Sequence, residues 1–134
     1  MRTLDTVGNM DESLFIDHVD TEWCFRARAK GFRLFGVCGA VMTHALGNRR
    51  SRVWFLRWRT VSHHSPFRYY YIFRNSVRLQ RRAYMPLQWK IADFFRCLRS
   101  VVFFGVFADE RLACLRMMGR GLRDGLKDVG GRLD

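Results

Sequence analysis

Three acids, Asp17, Asp20 and Glu22, stand close together in the stretch FIDHVDTEWCFRARAKG, residues 15 to 31, of a chain whose formal net charge is +12. One well-placed carboxylate is enough to take the proton from an attacking hydroxyl. Acids crowded at a helix start also offset the helix dipole, a role of about 0.3 to 1 kcal/mol each. Further along, His44 in THALG ends a short apolar run, where a lone histidine is more often packed or hydrogen-bonded than a ligand. The stretch HSPFRYYYIFRN supplies His63, His64, Arg68, Arg74 and Asn75. Its arginines could grip phosphate bidentately, or face water while Tyr69, Tyr70 and Tyr71 pack. Zinc-site spacing, nucleophile elbows, GxGxxG and P-loop motifs are all absent from the sequence.

These residues need elements to hold them. Asp17 is expected to begin a helix with acids in its first turn, Arg26, Arg28 and Lys30 near its end, and Gly31 to stop it. The apolar runs Phe32 to Val37 and Ala40 to His44 read as two strands, or a strand and a turn. Gly47 to Arg52 reads as a basic loop and Val53 to Thr60 as a strand or extended segment. Ser65 and Pro66 open a helix that runs to about Tyr84, before Pro86 interrupts. A second helix is expected from Leu87 to about Phe104. Its Lys90, Asp93, Arg96 and Arg99 recur every third residue and give it a basic polar face, with Trp89, Phe94, Phe95, Leu98 and Val102 mainly elsewhere. A third spans Asp109 to about Lys127, its end weakened by Gly119, Gly121 and Gly125.

Length and composition bound what these elements can build. The chain has 134 residues, sufficient for one modest core. With 49% hydrophobic and 15% aromatic residues it is no disordered basic tail. Cys24, Cys38, Cys97 and Cys114 form no CxxC pair, and no apolar signal segment follows Met1, so a cytoplasmic setting is expected. Six of the twelve acids lie in the first 22 residues, whereas residues 23 to 91 hold no acid and fifteen Arg and Lys. Such a stretch attracts phosphate, whether of nucleic acid, a nucleotide or an anionic membrane. The run VVFFGVF (101 to 107) is too short for the roughly 20 residues that span a bilayer, though a helix carrying it could lie in the interface.

The longer string GNMDESLFIDHVDTEWCFRARAKGFRLF, followed by AVMTHALG and HSPFRYYYIFRN, resembles the C-terminal half of family 2 inverting glycosyltransferases of the GT-A type, most closely bacterial rhamnosyltransferases of surface-polysaccharide synthesis. The resemblance runs from about Gly8 to Gly125, with several motifs in the family's order. The family's Gly-x-aromatic-Asp-Glu turn looks like Gly8, Asp11 and Glu12, with Met10 where an aromatic is common. Its Glu-Asp-x-Asp motif looks like Val19, Asp20, Thr21 and Glu22, with valine in place of the first acid and glutamate in place of the last.

That resemblance implies an α/β fold: residues 1 to 62 as the acceptor-side part of a GT-A catalytic domain, with a few short strands and the acidic-motif helix, and 63 to 134 as a helical, membrane-associating region. It implies Asp20 as catalytic base, Asp17 and Glu22 as acceptor ligands, and His44 beside the donor diphosphate or a metal. Phosphate binding would fall to His64, Arg68 and Arg74. The implied partners are a nucleotide sugar, dTDP-rhamnose being the best guess, a glycan or lipid-linked acceptor, and the anionic inner face of the cell membrane. No nucleic acid is expected. Neither the Rossmann-like nucleotide-binding half nor an Asp-x-Asp metal motif is in the sequence, so Met1 is expected to mark a late start, a fragment boundary, or the beginning of a split or decayed gene, a separate donor-binding half being one of the implied partners. The complete enzyme would use Mg or Mn; this chain alone is expected to hold no metal and to transfer nothing measurable. Two rival readings stay open: a basic nucleic-acid-binding module, and a non-catalytic peripheral membrane protein.

Overall fold

In a computed structural model, the described residues are 2–42, 49–55, 57–63, 65–107 and 110–133. In chain order the elements are α1 (Arg2–Val7), a 3-10 turn (Glu12–Leu14), α2 (Val19–Ala29), β1 (Arg49–Phe55), β2 (Arg57–His63), α3 (Pro66–Gln80), α4 (Leu87–Phe107) and α5 (Arg111–Leu126). They fall into two units: Met1–Leu34 with Pro66–Asp134, and Phe35–Ser65.

In the larger unit every element is helical, and this corrects the α/β expectation. No strand forms over residues 32 to 42, where two strands, or a strand and a turn, were expected; residues 43 and 44 lie outside the described residues. A strand needs a neighbour to satisfy its backbone groups and a face to bury. Here Phe35 is 79% exposed and Val41 90% exposed, so neither condition is met. Among the described residues the sheet is confined to the smaller unit. It is an antiparallel hairpin of β1 and β2 with register Arg49↔His63 to Phe55↔Arg57, so the segment read as a basic loop from Gly47 is strand from Arg49.

The helices follow their punctuation. Pro66 is the first residue of α3, where its missing N–H is no loss. The helix ends at Gln80 rather than near Tyr84, because Arg81 to Met85 turn on short-range bonds such as Arg82 N to Leu79 O, 3.1 Å. Pro86 disfavours a helical conformation at the residue before it. Its own carbonyl then accepts the Lys90 amide at 3.0 Å, starting α4.

α3 lies at the centre. Tyr69, Phe73, Phe104, Cys114 and Met118 pack where α3, α4 and α5 meet, and Leu14, Leu79 and Met85 make a second cluster with Phe25 and Trp89 at its rim. The α3–α5 seam is unusually close because glycine lines it. A Cβ on Gly125 would sit 2.7 Å from the Arg74 carbonyl oxygen, and one on Gly121 would overlap that of Tyr70. Of the three glycines expected to weaken the end of α5, Gly121 and Gly125 instead let two backbones touch, while Gly119 faces open space.

Candidate active site

The acidic motif begins in a turn that few sequences would choose. Phe15, Asp17 and His18 all have positive φ, at 60°, 60° and 65°. Each such non-glycine residue costs on the order of 1 kcal/mol or more and persists where surroundings over-determine it. α2 therefore starts at Val19, with the left-handed His18 as its cap and no side-chain cap bond, not at Asp17 as the charge pattern suggests.

What over-determines the turn is a pair of side chains from the middle of α3. Arg74 and Asn75 are both 0% exposed. Asn75 Nδ2 donates to the carbonyls of Leu14 (2.9 Å), Ile16 (2.8 Å) and Asp17 (2.9 Å). Arg74 donates from Nη2 to Ser13 O (3.1 Å) and Leu14 O (2.9 Å), from Nη1 to Gly131 O (2.6 Å), and from Nε to Asn75 Oδ1 (3.0 Å). Its guanidinium also lies 4.8 Å from the Tyr71 ring centroid, a cation–π distance. The donors of Arg74, expected to bind phosphate, are thus spent on buried carbonyls. An Arg-Asn pair in a helix stretch buried all round had to be internally bonded, and that was the signal available in YYYIFRN.

The three acids have different fates. Asp17 is bound sideways by Arg68, whose Nη2 and Nε donate to its carboxylate at 2.8 to 3.1 Å. That pairing holds the Arg68 pKa up, and it accounts for both Arg68 and Asp17, expected as phosphate and acceptor ligands. Glu22 is 0% exposed. Arg26 Nε and Nη2 donate to it at 2.9 and 3.0 Å, Arg82 Nη1 is 2.9 Å away, and the Tyr84 hydroxyl donates to it as well. Arg26 continues to the carbonyls of Val7 and Asn9, both at 2.7 Å, so Glu22 ties α1, α2 and the 81–85 turn together. Glu22, expected as an acceptor ligand, is thus enclosed by Arg26, Arg82 and Tyr84. Asp20, by contrast, is exposed on the first turn of α2 and makes no hydrogen bond or ion pair among the described residues.

Beneath the start of α2 lies a charged cluster that the sequence pattern did not place. Asp93 of α4 is 4% exposed. Ser76 Oγ and Arg96 donate to it, and its Oδ1 stands 3.4 Å from His18 Nε2, which Arg96 Nη2 approaches to 2.8 Å. Burial pushes the Asp93 pKa up, but the hydrogen bonds from His18, Ser76 and Arg96 outweigh it and hold the group at about 2. His18 Nδ1 is buried without a partner among the described residues.

The remaining candidates divide simply. His44 and His64 lie outside the described residues, and His63 is the last residue of β2. Among the described residues no three His, Cys, Asp or Glu side chains stand close enough to share a metal ion. His44, which the resemblance places beside a metal or the donor diphosphate, lies outside those residues, and no chemical step is routed through an ion. The other arginines near α3 hold the fold: Arg78 pairs with Asp128 at 2.7 Å, Arg82 with Asp11, and Arg81 donates to Leu126 O at 3.0 Å.

What the arrangement can do is present one unencumbered carboxylate on a rigidly held helix start, while its neighbours are committed to structure. No family profile matches the chain, and no solved structure matches it. Among curated proteins it is 30% identical over 127 residues to the dTDP-rhamnosyl transferase RfbF of Shigella flexneri, an alignment that covers 95% of this chain and 42% of that protein. The chain therefore spans about two-fifths of the length of the curated relative it matches, and the likeness supports a relationship to rhamnosyltransferase-type glycosyltransferases.

Proposed function

We propose that this chain is the base-carrying portion of an inverting rhamnosyltransferase, and that Asp20 is its general base. The carboxylate takes the proton of an acceptor hydroxyl as that oxygen bonds to the anomeric carbon. The bond from that carbon to the nucleoside diphosphate breaks on the opposite face. The carrying observation is the contrast among the three acids at the start of α2: Asp20 is exposed and unpaired among the described residues, whereas Asp17 and Glu22 are bound by arginines. The donor is dTDP-rhamnose, a reading supported by the likeness to a dTDP-rhamnosyl transferase. The acceptor is a glycan or lipid-linked sugar at the inner face of the cell membrane, in surface-polysaccharide synthesis. A nucleotide-binding half completes the enzyme and carries any Mg or Mn ion.

The test joins this chain to such a half and replaces Asp20 by Asn. Transfer from dTDP-rhamnose should fall by about a hundredfold or more, with donor affinity close to the parent's. Undiminished turnover would retire the assignment.

A further inference from the structure

Among the described residues the outward face of α4 has no partner. Leu87, Ile91, Phe94, Leu98 and Val102 recur every three or four residues along this 21-residue helix and all are exposed. Phe94 and the adjoining Phe95 are each 60% exposed, their ring centroids 5.7 Å apart. The opposite side of the helix faces the core with Asp93, Cys97 and Phe104. Thus the apolar stripe that a lone amphipathic helix would bury is turned out, and the helix's one acid is turned in.

We infer that this face docks on an anionic lipid bilayer, the helix lying flat in the headgroup region. Charge selects that occupant. At 100° per residue Lys90 and Arg99 fall on the two edges of the stripe. Asp93 is the only acid between Leu87 and Phe107 and is buried, so no exposed carboxylate on α4 opposes a negative surface. The chain as a whole carries +12. A second copy would bring cationic edges against cationic edges, whereas anionic headgroups complement them while the phenylalanines enter the acyl boundary. Among the described residues no helix is long and apolar enough to cross a membrane, so the contact is with one leaflet. This surface stands on the exposure pattern of α4 and does not depend on sugar transfer.

The experiment is co-sedimentation of the full chain with vesicles of phosphatidylglycerol and phosphatidylcholine, against vesicles of phosphatidylcholine alone. Binding is expected on the former, weakening with salt. The Phe94→Ser/Phe95→Ser double variant should lower that binding by about tenfold or more, since two aromatic rings no longer leave water. Both residues are exposed, so the variant's thermal midpoint and helix content should match the parent's. Lys90→Glu with Arg99→Glu, at the edges of the stripe, should also lower binding. Equal binding to neutral vesicles would overturn the proposal, as would undiminished binding by the aromatic variant. So would a parent chain that binds no vesicles, including one that forms a dimer abolished by Phe94→Ser/Phe95→Ser, which would assign the face to a second copy.

Discussion

At the scale of single residues, the site rests on how two buried side chains, Arg74 and Asn75, constrain a turn of left-handed residues. Asn75→Asp keeps the shape but turns a donor facing three carbonyl oxygens into an acceptor. It should cost about 3 kcal/mol or more in urea unfolding. Arg74→Lys should not restore the parent's stability, because an ammonium offers no planar fork to carbonyls on both sides of the turn. Asp93 gives a pH signature. Its folded pKa, about 2, lies below the ordinary 3.8, so its contribution is present above pH 4 and is lost as pH falls toward 2. The parent should lose about 2 kcal/mol more than Asp93→Asn between pH 5 and pH 2. Equal acid sensitivity in the two proteins would remove Asp93 from the account. The sequence showed where the acids cluster but not which of them is free. That difference lies in helix geometry: Asp20 and Glu22 are two residues, about 200°, apart, and Arg26 stands one turn beyond Glu22 to engage it. The i,i+4 pair was legible; the arginine from the 81–85 turn that joins it was not.

At the scale of elements, proline and glycine positions located α2 to α5 to within a few residues, since those residues act through local backbone geometry. The strands expected after Gly31 failed because apolar runs specify a strand only where a neighbour exists to pair with. Glycine in α5 was misjudged for a related reason: its local effect is to weaken a helix, but its tertiary effect here is to let α5 reach the α3 backbone. Gly125→Ala should accordingly lower stability by about 1 to 3 kcal/mol, although alanine is the better helix former. A gain in the thermal midpoint would show that the seam is not as close as described. α4 shows the same contest between local and tertiary order. Its polar spacing suggested a solvent-facing basic side, yet Asp93 is drawn inward by Ser76, Arg96 and His18 and the aromatic side is left outside.

At the scale of the whole molecule, the excess of cations is largely a binding agent for the fold. Arg26, Arg68, Arg74, Arg78 and Arg82 each reach an acid or a carbonyl distant in sequence. Composition therefore pointed toward phosphate more strongly than these side chains allow, and the acids near the N-terminus are the counterpart they answer. One carboxylate is left over at the start of α2. The most direct measurement compares Asp20→Asn and Asp17→Asn in the chain joined to a nucleotide-binding half, recording both rhamnose transfer and thermal midpoint. Asp20→Asn should silence transfer at an unchanged midpoint, while Asp17→Asn should lower the midpoint by releasing Arg68 from the turn. Full activity in Asp20→Asn, at any stability, would contradict the account.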